Sequence, residues 1–153
     1  MLLFAAQTAL AVTQKEAMKE IFADADSFKA KKCGAIDYFE VLKENNAIGY
    51  CLDVIARGYS GPICMVVGLD PAGVIKGIRI IAHRETPGIG ARINEVIAGE
   101  KDPWFLRQFV GKQGRTVTLK RDVDAVSGAT ISSNAVTAAV NDAVNVFFAR
   151  IKK

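Results

Sequence analysis

The chain has 153 residues, 50% of them hydrophobic and 24% charged, which fits one folded domain and excludes intrinsic disorder. The net charge is only +4, with no basic run interleaved with aromatics, so nothing points to nucleic acid. A single histidine and three cysteines without a CxxC pair argue against the common zinc sites and a dithiol redox pair, and the cysteines are expected to be free and mostly buried.

Met1 to Val12 is apolar but shorter than the roughly 20 residues that span a bilayer, and it lacks the positive start of a secretory signal. It reads either as a buried N-terminal helix or as the end of a longer hydrophobic segment. Thr13 to Phe22 has helical spacing, with Thr13 as N-cap and Glu16 three residues on. Ala35 to Leu42 reads as a strand, and Lys43 to Asn46 as a polar turn. Ile48, Tyr50, Leu52, Val54 and Ala56 then alternate as in a half-buried strand, which Gly58 to Pro62 breaks. Ile63 to Leu69 is apolar on both faces and belongs inside a sheet, and Asp70-Pro71-Ala72-Gly73 fits a type I turn before a strand over Val74 to Ala82. A short helix is predicted over Ala91 to Ala98, and another from near Pro103 with Trp104, Phe105 and Phe109 facing the core. Thr116 to Lys120 reads as a last strand. A long helix over Ser133 to Ile151 carries Val136, Val140, Val144, Phe147, Phe148 and Ile151 on one stripe. The sum is an α+β fold, an antiparallel β-meander packed against helices with a long helix at the C-terminus.

Two polar, glycine-bearing segments interrupt this scaffold. In His83-Arg84-Glu85-Thr86-Pro87-Gly88-Ile89-Gly90, the two glycines let backbone N–H groups approach a ligand, and Glu85 and Thr86 add a hydrogen-bonding rim suited to a flat heterocycle. The plain alternative is a strand-to-helix connection. In Asp124-Ala125-Val126-Ser127-Gly128-Ala129-Thr130, small residues and hydroxyls precede the long helix, whose positive end suits a phosphate. Helix capping by Ser132 or Ser133 is the alternative there, but it leaves the small residues from Ser127 to Thr130 without a purpose.

The second segment resembles the Asp-x-x-Ser/Thr-Gly-Ala-Thr/Ser flavinylation motif of the FMN-binding domain family. That family includes the G subunit of Rnf-type electron-transport complexes and the C subunit of the sodium-translocating NADH:quinone oxidoreductase. Gly58-Tyr59-Ser60-Gly61 resembles its Gly-Tyr-x-Gly hairpin, the His83 to Gly90 loop its His-x-Glu-Thr-Pro-Gly-Leu-Gly loop, and Asp102 to Phe109 its aromatic segment, all in family order. The short chain and close motif spacing favour the Rnf G-like branch.

The resemblance implies FMN held covalently on Thr130 through a phosphoester, made by a flavin transferase that reads Asp124. Ser127, Gly128 and Ala129 would contact the phosphate or ribityl chain. Glu85, Thr86, Gly88, Ile89 and Gly90 would border the isoalloxazine, with Ile89 on its face. No catalytic residue and no metal site is implied on this chain. His83 is expected to support the loop, the alternative being proton donation to reduced flavin. The resemblance also implies residues 1–30 as a helical segment, a candidate remnant of a membrane anchor, and residues 31–153 as the FMN-binding domain. It further implies neighbouring subunits of a membrane complex, and a flavin domain on the extracytoplasmic side of a bacterial or archaeal membrane. Competing readings are a module that binds FMN or another phosphate ligand noncovalently without redox work of its own, and a structural subunit with an empty site.

Overall fold

In the computed structural model, which describes residues 13–34, 36–85, 90–97 and 99–151, one sheet separates two unequal hydrophobic cores. Helix α1 (Gln14–Ile21) opens the described chain, and the Thr13 hydroxyl caps it by accepting the Glu16 N–H at 3.2 Å. The apolar run Met1 to Val12 lies outside the described residues. Five strands follow: β1 (Ser27–Cys33), β2 (Ile36–Lys43), β3 (Asn46–Arg57), β4 (Pro62–Leu69) and β5 (Ile75–His83). They pair antiparallel in sequence order, a simple meander. Between β2 and β3, Glu44 and Asn45 have φ of 52° and 66°, the left-handed pair that matches the twist of a two-residue hairpin. Between β4 and β5, Asp70 C=O accepts the Gly73 N–H at 3.0 Å and its carboxylate accepts Ala72 and Val74 N–H, as the turn sequence predicts.

The larger core lies between one face of β3 to β5 and helices α2 (Trp104–Arg107) and α3 (Thr130–Ile151). The stripe on α3 is buried from Val136 to Phe148, and Phe147 makes edge-on contacts with Tyr38, Tyr50 and Phe148. The smaller core lies on the opposite face, where Ala17, Met18 and Phe22 meet Val41, Cys51 and Val66. Glycine lets α1 sit this close: a Cβ on Gly49 would stand 2.8 Å from the Phe22 ring. Burial pushes the Cys51 thiol up to about 12, which makes it an inert core residue. Cys33 and Cys64 are half-buried, and all three cysteines are free.

Three predicted elements differ, and one observed strand was not predicted. Strand β1 has no counterpart in the sequence reading, because its Lys-rich edge shows no clean alternation. Thr116 to Lys120 forms an irregular, turn-bounded segment with one isolated bridge, Leu119 to Val123, instead of a strand. There the Asn141 amide donates to the carbonyls of Arg115 and Val117, and Thr118 N–H donates to the Asp122 carboxylate. The helix expected over Ala91 to Ala98 is a short 3₁₀ turn over Gly90–Asn94. The last helix begins at Thr130, three residues before the expected Ser133.

Candidate functional site

That earlier start changes what the serines do. The first bond of the α3 ladder runs from Ser133 N–H to Ala129 C=O at 2.9 Å. The N–H groups of Thr130, Ile131 and Ser132 therefore stand ahead of the ladder, at the positive end of a 22-residue helix. Ser132 and Ser133 do not cap this end; both are fully buried within its first turn. Ser133 ties the motif loop down, accepting the Val126 N–H at 3.0 Å and donating to Ala129 C=O at 2.7 Å. Val126 and Ala129 are buried beneath the loop, while Ser127, Gly128 and Thr130 are exposed above it. Gly128 has φ of +81°, which a residue with a Cβ adopts only at a cost.

Two side chains from elsewhere hold the loop's outer edge. Gln108 grips the Asp124 backbone twice, accepting its N–H at 2.8 Å and donating to its C=O at 3.0 Å. Asp124 itself is exposed. The Arg92 guanidinium donates to Ser127 C=O, which puts a cation beside Gly128.

Glu85 lies on the inner side. Only 5% exposed, it accepts Tyr59 N–H at 2.8 Å on one oxygen and Ser60 N–H at 2.6 Å on the other, and the Ser132 hydroxyl donates to it as well. Burial acts to raise its pKa, but the bonds from Ser132, Ser60 and Tyr59 and the nearby His83 outweigh that and lower it below the ordinary value. Expected at the ligand rim, its carboxylate instead spends its oxygens inside the protein. His83 Nδ1 accepts the Glu85 N–H at 3.1 Å, a supporting contact. Two glycines make room for the carboxylate: a Cβ on Gly58 would lie 2.8 Å from Glu85 Cδ, and one on Gly90 2.6 Å from its Oε1.

A cavity of about 300 Å³ opens where these parts meet, lined by Tyr59, Gly90 and the 128–132 segment. Thr130 borders it, flanked by the exposed apolar surfaces of Tyr59 and Ile131. Gly90 and the Gly128 to Thr130 motif, far apart in sequence, thus share one cavity. Thr86, Gly88 and Ile89 lie outside the described residues. Sequence reasoning missed Gln108 and Arg92, which act across 16 and 35 residues and carry no local pattern. Among the described residues, no cluster of His, Cys, Asp and Glu is placed to hold a metal ion.

Residues 58–145 match the FMN-binding domain. The G subunit of the proton-translocating ferredoxin:NAD(+) oxidoreductase complex of Clostridium ljungdahlii is 35% identical over 137 residues, spanning 86% of this chain and 70% of that protein. The G subunit of the ion-translocating oxidoreductase complex of Methanosarcina acetivorans is 35% identical over 145 residues, spanning 86% and 73% respectively. The C subunit of the Na(+)-translocating NADH-quinone reductase from Parabacteroides distasonis superposes with a TM-score of 0.66 over 98% of this chain and 89% of that one, at 18% identity. That last likeness is one of fold.

Proposed function

Because this chain belongs to the FMN-binding domain family, we propose that it is an electron-transfer subunit of a membrane-bound, Rnf-type ion-translocating oxidoreductase complex, carrying FMN on Thr130 through a phosphoester. The observation that carries the attachment is the position of Thr130. Its residue is exposed at the first position of α3, beside N–H groups that precede the helical ladder and beside a cavity of about 300 Å³. These residues fit the group. The helix end and Arg92 suit a phosphate, and Tyr59 and Ile131 offer apolar surface to a ring. Bound FMN supplies the one- and two-electron chemistry, and the protein supplies retention, orientation and electrostatics.

Asp124 is the feature a flavin transferase would read, presented outward by Gln108. Partner subunits, a membrane anchor ahead of the domain and an extracytoplasmic flavin belong to the same proposal. Among the described residues no helix is long and apolar enough to cross a membrane.

Co-expression with a flavin transferase tests the attachment. Wild type gains the mass of one FMN less one water and gives a fluorescent band on a denaturing gel. Thr130→Ala loses that band because no oxygen remains to bear the phosphate, whereas Thr130→Ser keeps it. Both variants stay within about 0.5 kcal/mol of wild-type stability, as exposed substitutions do. FMN that binds but leaves on denaturation would support the noncovalent module instead.

A further inference from the structure

Three of the seven residues that line the Thr130 cavity touch one buried carboxylate. Tyr59 donates its N–H to Glu85 at 2.8 Å, Ser132 donates its hydroxyl, and the Gly90 backbone lies so close that a Cβ there would stand 2.6 Å from Oε1. The Tyr59, Ser60 and Ser132 donors are dipoles, and among the described residues Glu85 enters no salt bridge. Its neighbour His83 accepts the Glu85 backbone N–H through Nδ1, and the Arg92 guanidinium is engaged by the Ser127 carbonyl. Dipoles stabilise a charge without cancelling it, so the carboxylate's negative charge sits behind the inner wall of the cavity, while the Arg92 cation lies beside Gly128. In a poorly solvated wall, such a charge is screened far less than at the surface.

We propose that Glu85 is a positioning residue with an electrostatic role: its carboxylate fixes the 58–61 turn against the start of α3, and its charge opposes electron uptake by a flavin bound at Thr130. This role presupposes FMN on Thr130. It assigns Glu85 no contact with the cofactor. Glu85 acts through Tyr59, Ser60 and Ser132, and its charge makes added negative charge on the flavin less favourable, which lowers the reduction potential. The lowered pKa of Glu85 fits a group that keeps its charge at neutral pH.

The full chain, with and without FMN loaded by a flavin transferase, provides the test. In flavin-free wild type, the Tyr59 and Ser60 amides exchange slowly although their turn is exposed, and their NMR shifts titrate with a midpoint below 4.5. Glu85→Gln keeps the shape but removes the charge and one acceptor. Exchange of these amides then accelerates about tenfold or more, and the midpoint potential of the loaded protein rises. Glu85→Asp keeps the charge on a shorter arm, so amide protection falls while the potential stays near wild type. An unchanged potential in a folded, FMN-loaded Glu85→Gln overturns the electrostatic role. A Glu85→Asp potential that rises as far as that of Glu85→Gln does the same. If the Gln variant fails to fold, Glu85→Asp and the wild-type amides decide. Amides that exchange at the rate of a free turn, or that do not titrate, overturn the positioning role. A wild type that takes up no FMN refutes the proposed function and the electrostatic role, while the flavin-free amides still judge the positioning role separately.

Discussion

Gly90→Ala adds a single methyl group at the most crowded point of the site. The new Cβ would stand 2.6 Å from Glu85 Oε1 and 2.8 Å from both Glu85 Cδ and Ser132 Oγ. Gly90 is not among the glycines with positive φ, so the cost is steric rather than conformational. A free carboxylate would swing aside for about 0.5–1.5 kcal/mol of rotamer strain. This one is held by Tyr59, Ser60 and Ser132, and a hydrogen bond to a charged group contributes about 1.5–3 kcal/mol. Losing one of the three bonds gives an expected destabilisation of about 2–3 kcal/mol. At about 2–4 °C per kcal/mol for a chain of this size, the midpoint of thermal unfolding falls by about 4–12 °C. Urea and thermal unfolding followed by circular dichroism measure it. A double-mutant cycle isolates the cause. With Glu85→Ala already present the carboxylate is gone and the Ser132 hydroxyl, released from it, is free to turn aside, so Gly90→Ala there costs under about 1 kcal/mol, leaving a coupling of about 1–3 kcal/mol. A Gly90→Ala protein as stable as wild type, or an equal cost in both backgrounds, would refute the crowding argument.

The acid limb of stability follows from the same carboxylate. Because its folded pKa lies below its ordinary 4.5, its contribution is complete above that value and is lost as pH falls through the folded pKa. Urea midpoints against pH should therefore fall less steeply below about pH 4.5 in Glu85→Gln than in wild type. Phe147→Ala empties a fully buried position that touches Tyr38, Tyr50 and Phe148, and should cost about 3–5 kcal/mol in urea unfolding. Gln108→Ala removes both bonds to the Asp124 backbone, costs about 1–2 kcal/mol, and slows FMN transfer in a timed gel-fluorescence assay without abolishing it.

Local chemistry made much of the fold legible in the sequence. Thr13 and Glu16 marked the start of α1, alternation marked β3, the double-sided apolar run marked β4, and Asp70 to Gly73 marked its turn. Each of these signals resides within a few neighbouring residues. Strand β1 was invisible because an edge strand buries little and is free to carry lysines. Thr116 to Lys120 misled because β-branched residues read as strand, while Asn141 and Asp122 had taken backbone groups that a strand would need.

The motif itself was legible along the chain: small residues and a hydroxyl directly before a long helix, in the family's order. Tertiary structure decided the roles. Ser132 and Ser133 read as caps, yet folding turns both inward, one to Glu85 and the other to the motif loop. Glu85 reads as a ligand group, yet burial requires its charge to find donors, and the nearest were the backbone of a turn 25 residues away and a serine 47 residues on. A buried polar group takes the partners that its surroundings bring within reach, and those surroundings exist only once the sheet and α3 have packed.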